Sequence, residues 1–173
     1  MAIGKDDLKK QINNAFYYEV LELFQSKRFY QISVMNKKEL DRNFNLFNNI
    51  AIEHAILHAS NLFEFYTQNK DTEPRAVLYV KDWKSPPQTG NLKDFERKAN
   101  NQIRHIGNLR HPFIQNEDWN IVGLVNQLLA ITKDFLDQLP ESWDEDNLKI
   151  LRQKIDELIK IDYSQKEYKI TFI

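Results

Sequence analysis

The sequence predicts an all-α fold, a single-domain antiparallel bundle of about five helices with a small extended element. Three observations carry this. Breakers are sparse, 4 Gly and 5 Pro in 173 residues, which favours long helices over a turn-rich sheet fold. Apolar residues recur at three- and four-residue spacing over several long stretches. Proline signals at Pro86-Pro87, Pro112 and Pro140 fall between those stretches, where a helix should stop. Residues 1–173 are read as one domain, a length that buries roughly 70% of the extended chain's surface on folding.

Asp6 to Ser26 reads as the first helix, with Ile12, Phe16, Val20, Leu23 and Phe24 on one face and Leu8 leading in. Tyr17 and Tyr18 are expected to widen that face. Lys27 to Asn36 is β-rich without clean alternation, and reads as an extended link. Lys37 to Asn69 carries the longest helical pattern: Leu40, Phe44, Phe47, Ile50, Ala51, His54, Ala55, His58, Leu62 and Phe65. So broad a face suits a central helix packed on more than one side. It reads as one helix, with Asn48-Asn49 the place where so long a run would break.

Asp71 to Asn91 is a connection, longer than an ordinary bundle loop. Its AVLYV is either a short strand or an extended segment over the helices, and the whole is either a functional flap or a cover. Asn91 to Arg110 is the third major helix, with Asn91 as N-cap and Asp94 in the capping-box position. Asp118 to Leu139 is the fourth, with Asp118 as N-cap and Pro140 as terminator. Asp144 to Ile161 is the fifth, carried by Leu148, Leu151, Ile155, Leu158 and Ile159. The closing YKITFI either pairs as an edge strand or packs loosely as a tail.

Composition narrows the chemistry. Zero cysteines exclude disulfides, thiol catalysis and thiolate metal sites. The formal net charge of −1 gives no global grip on nucleic acid or anionic lipid. The longest uncharged stretch, Trp119 to Thr132, is too short to span a bilayer. The N-terminus MAIGKDDLKK lacks a signal-peptide core. A cytoplasmic protein without a membrane partner is therefore expected. There is no Gly-rich phosphate loop, nucleophile elbow or H-E-x-x-H.

Two histidine pairs remain. His54 and His58 stand at i, i+4, so both rings lie on one helix face and could share a metal. Glu53 lies about 100° away on the helix. A third ligand would have to come from another helix, and nothing in the sequence nominates it. The expectation is that both histidines are structural, bonded to a carbonyl or water, with no metal and no cofactor.

The second pair sits in QIRHIGNLRHP, where Arg104, His105, Asn108, Arg110 and His111 fall within eight residues. Arg104 and His111 are two helical turns apart. Their directions differ by about 20° and their Cα atoms by roughly 10 Å if the helix persists, so both can converge on one phosphate. Lys93 to His111 holds five basic and two acidic side chains, a positive stretch in a neutral chain. RNA carries its own nucleophile, the 2′-hydroxyl, and its cleavage needs a base, an acid and positive donors around the phosphorane. Histidine moves protons near neutral pH. Arginine offers a permanently charged fork for phosphate oxygens. The competing reading is a solvated positive helix end with His111 as a C-terminal cap.

The string from Arg104 to His111 resembles the signature of the HEPN superfamily, an arginine followed by a polar residue and then, after four to six intervening residues, a histidine. Arg104, His105 and His111 match those positions. The resemblance implies a compact helical domain and, for many members, metal-independent endoribonuclease activity in toxin–antitoxin, abortive-infection or CRISPR-associated systems. It also implies an active site formed across a homodimer. Arg104 would hold the scissile phosphate, His111 would transfer protons, and His105 and Asn108 would orient or polarise. The expected partners are a second copy, single-stranded RNA and an antitoxin or other protein. The alternative function is a catalytically silent helical module for dimerisation or protein interaction. A metal-dependent helical enzyme on His54 and His58 is the third.

Overall fold

The computed structural model describes residues 4–67, 75–93, 95–99 and 119–163. Of these, 82% are helical and none is in a strand. The α-helices are α1 (Lys5–Gln11), α2 (Tyr17–Met35), α3 (Lys37–Leu40), α4 (Phe44–Thr67), α5 (Phe95–Ala99), α6 (Ile121–Gln138) and α7 (Asp146–Lys160). Within the described residues the expected all-α bundle is what the chain forms.

Helix α1 runs into α2 through a π-helical turn at Ile12–Phe16. The turn buries Ile12, Asn13 and Phe16 together. Asn13 is 1% exposed. Its amide donates to the carbonyls of Lys9 and Trp143, both at 2.8 Å. Its Oδ1 accepts from the Glu145 N–H at 2.8 Å, and its backbone carbonyl accepts from the Asn147 amide at 2.9 Å. One side chain thus ties the first helix to the start of α7. Tyr18 stays exposed and does not widen the buried face.

The chain corrects the reading of Lys27 to Asn36 as an extended link: α2 is helical to Met35. The buried face of this half consists of Ser26, Lys27, Gln31 and Ser33, so no apolar periodicity marks it. The long pattern is also not one helix from Lys37. Asn36 turns its amide back onto the Ile32 carbonyl at 2.8 Å, competing with the helical ladder. Asp41 takes a positive φ of 45°, a conformation costly for a residue with a Cβ. The break therefore lies at 36–43, and α4 passes through Asn48-Asn49 unbroken.

Helices α2 and α4 form an antiparallel hairpin, with ring contacts Phe16–Phe65 and Phe29–Phe47 at its two ends. Helix α6 runs antiparallel to α2: Phe16 meets Phe135 and Lys27 meets Asn126. It begins at Ile121, where the Asn120 side chain accepts the Gly123 N–H at 2.9 Å. Asn120 is thus the N-cap, and Asp118 lies outside the described residues. A Cβ on Gly123 would meet the Asn120 amide at 2.5 Å. The helix ends before Pro140 as expected. Arg152 closes that end, donating to the carbonyls of Leu136 and Leu139 and pairing with Asp144 at 2.6 Å.

The centre of the core is aromatic. Phe16, Phe65, Tyr66, Tyr79, Trp83 and Phe135 stack edge and face within one cluster. Fully burying a ring such as Phe135 stabilises by about 2–3 kcal/mol. The segment 75–91 covers this cluster. Its AVLYV is no strand but a 3₁₀ turn, Ala76–Leu78, followed by buried Tyr79 and Val80. Trp83 bonds the Tyr66 carbonyl at 3.0 Å. Burial pushes the Tyr79 hydroxyl up to about 12. Asn91 does not cap a helix: it sits in the 3₁₀ turn Gly90–Leu92, its N–H held by Gln127 at 3.0 Å, and α5 starts later at Phe95. Residues 168–173 lie outside the described set.

Candidate functional site

Arg104, His105, Asn108, Arg110 and His111 all lie outside the described residues. The other histidine pair is described in full, and it does not stand alone. His54 and His58 occupy adjacent turns of α4, facing Glu19, Glu22 and Ser26 on α2. Those three positions are spaced three and four apart, so they share one stripe of α2.

Each ring is held at Nδ1. The Ser26 hydroxyl lies 2.7 Å from His54 Nδ1 and gives its one proton to the Glu22 carbonyl, also at 2.7 Å. With the hydroxyl proton on that carbonyl, Ser26 Oγ accepts from an N–H at His54 Nδ1. His58 Nδ1 lies 2.7 Å from Glu19 Oε2 and donates to that carboxylate. Asn61 donates to the same oxygen at 3.1 Å. With Nδ1 engaged in both rings, the Nε2 atoms are left for other partners. These face each other at 3.2 Å, and His54 Nε2 lies 3.5 Å from Glu22 Oε2.

The cluster lies at the edge of the hairpin. His58 is buried, with its side chain 5% exposed, while those of His54 and Glu22 are 41% and 26% exposed. Tyr18 meets the His58 ring edge-on at 5.8 Å. Burial, and then the neighbouring His58, hold His54 below the ordinary histidine value of 6.5, against the raising pull of Glu22 and Glu19.

This arrangement corrects the expectation that both histidines bond to a carbonyl or water. Their partners are side chains of another helix. Glu22, His54 and His58 bring three ligand atoms within 4.8 Å of one another, the geometry of a group able to hold a metal ion. Sequence reasoning found the histidines by their spacing but missed the acidic partners. The signal was the polar stripe Glu19, Glu22 and Ser26 on the first helix, which packs antiparallel to the helix that carries the histidines.

Beside Glu19 a cavity of about 270 Å³ opens, lined by Gln11, Phe16, Glu19, Asn61, Phe65 and Tyr79. Gln11 Oε1 is buried there without a hydrogen-bond partner. The π-helical turn forms its wall, a distortion that often accompanies functional sites. No described helix is long and apolar enough to cross a membrane. No family model, curated protein or solved structure matches the chain.

Proposed function

We propose that the chain is a metal-independent endoribonuclease acting on single-stranded RNA, of the kind used in toxin or phage-defence systems. The observation that carries this is the spacing of Arg104 and His111, in the one plainly basic stretch of a chain of net charge −1 whose described residues form an all-α bundle. The 2′-oxygen attacks phosphorus, the bond to the 5′-oxygen breaks, and the products are a 2′,3′-cyclic phosphate and a free 5′-hydroxyl. Arg104 holds the phosphate. His111 accepts the 2′-hydroxyl proton, and His111 of a second copy supplies the proton that leaves with the 5′-oxygen. His105 and Asn108 orient the phosphate. A homodimer completes the set, because two-fold symmetry doubles each group.

The test is one gel. Labelled RNA is incubated with wild type, His111→Ala and Arg104→Ala, each with EDTA. Wild type should cleave, and loss of a proton-transfer group should slow cleavage by about 10²- to 10⁴-fold. Equal cleavage by all three marks a contaminant, and no cleavage of any RNA removes the reading. A second reading is a silent module that dimerises or binds a protein partner. It is favoured by an apolar stripe on α4, where Leu46, Ile50 and Leu57 are 60%, 47% and 46% exposed. A dimer by light scattering together with inactivity on RNA selects it.

A further inference from the structure

We propose that Glu22, His54 and His58 bind a divalent transition-metal ion of the zinc class, with a water molecule in the fourth position. The site is independent of the ribonuclease reading and involves none of its residues.

The hydrogen-bond arrangement carries the argument first. Ser26 and Glu19 engage both rings at Nδ1, which leaves Nε2 of each for a ligand. The two Nε2 atoms sit 3.2 Å apart, with a carboxylate oxygen 3.5 Å from one of them. A cation taking the place of the proton shared between the rings would be met by both Nε2 lone pairs and by the Glu22 carboxylate. Their spacing carries the argument next. In a tetrahedral site with bonds of about 2.0–2.1 Å, neighbouring ligand atoms stand about 3.3–3.4 Å apart. The His58–His54 and His54–Glu22 separations of 3.2 and 3.5 Å bracket that value, and all three ligand atoms lie within 4.8 Å of one another, so a small turn of the Glu22 side chain completes the set.

The surroundings are those of a metal site. A metal-bound histidine usually donates its other N–H to a carboxylate or another oxygen, which fixes the tautomer and raises ligand basicity. Glu19 does this for His58 and Ser26 for His54. Two imidazoles and one carboxylate, with no thiolate, suit zinc and its neighbours better than a hard ion such as Ca²⁺. Three protein ligands leave one position, and the exposure of His54 and Glu22 opens it to solvent.

The experiment is calorimetric titration of Zn²⁺ into the full chain after removal of metal with chelator. One saturable ion per chain is expected, with Co²⁺ giving the visible bands of a tetrahedral site. Glu22→Gln and His54→Ala should each weaken binding by at least about 100-fold, as a ligand is lost. Glu19→Gln, a change at a positioning residue, should weaken it by about 10- to 100-fold. Asp137→Asn, an exposed carboxylate on α6 outside the cluster, should bind as wild type does. Circular dichroism verifies that each variant is folded, and the near-isosteric Glu22→Gln stays informative if a histidine variant is not. No saturable binding, or equal affinity in wild type and Glu22→Gln, overturns the proposal.

Discussion

Two buried polar residues show how much a single side chain can decide. Lys27 is 1% exposed, and its ammonium donates to Asn126 Oδ1 at 2.8 Å. Burial lowers its pKa from the usual 10.5, against a weaker raising pull from Asp162. A charge held in that position costs folding free energy. Lys27→Met should therefore stabilise at neutral pH by about 1 kcal/mol, read from urea unfolding. The sign of the pH dependence follows. The folded state sheds the Lys27 proton before the unfolded state does. The variant's advantage is full below the lowered folded value, and shrinks as pH rises through it towards 10.5. Asn13 is the opposite case, since every polar atom of its side chain is satisfied. Asn13→Ala would leave the Glu145 N–H and the Trp143 carbonyl without that partner, and should cost about 2–3 kcal/mol by the same measurement.

Among the elements, the π-helical turn is the one that sequence periodicity does not announce. It accommodates one extra residue, which sets the rotation of α1 against α2. Deleting exposed Asn14 should restore α-helical winding, rotate α1 by about 100° and carry Lys9 and Leu8 off their contacts. The melting temperature should fall well below that of Asn14→Ala, which loses only a surface bond to the Lys10 carbonyl. The end of α6 depends on Arg152 in a similar way. A lysine there keeps the charge but not the fork that reaches Asp144 and two carbonyls at once. Arg152→Lys should cost about 1–3 kcal/mol in thermal or urea unfolding.

At the level of the whole molecule, one connected core runs through α2, α4, α5, α6 and α7 and takes in the covering segment 75–91. Elements that share a core unfold together. Urea transitions followed by far-UV circular dichroism and by tryptophan fluorescence should therefore coincide, with Trp83 and Trp143 both packed against that core. Two separated transitions would show that the cover or α7 unfolds independently. The same core places the histidine cluster at its margin. The aromatic pairs at the two ends of the α2–α4 hairpin set its register and bring Glu19 and Glu22 opposite His58 and His54.

The sequence by itself determined the helical class, the later helices and their ends. Ile121–Gln138 and Asp146–Lys160 lie within a few residues of their expected bounds, because an apolar stripe of period 3.6 encodes a buried face locally. Pro140 likewise acts on its immediate neighbours. Helix from Lys27 to Met35 was not legible, since its buried side chains are polar and find partners about 100 or more residues away, as Gln31 does at Asp162 and Lys27 at Asn126. The i, i+4 pair His54 and His58 was legible as spacing, whereas its role was not. Only the tertiary structure decided that, by laying a stripe of Glu19, Glu22 and Ser26 across it from a second helix. A polar side chain's environment is fixed by the partners that meet it, and those are set by the register of packed helices rather than by neighbours along the chain.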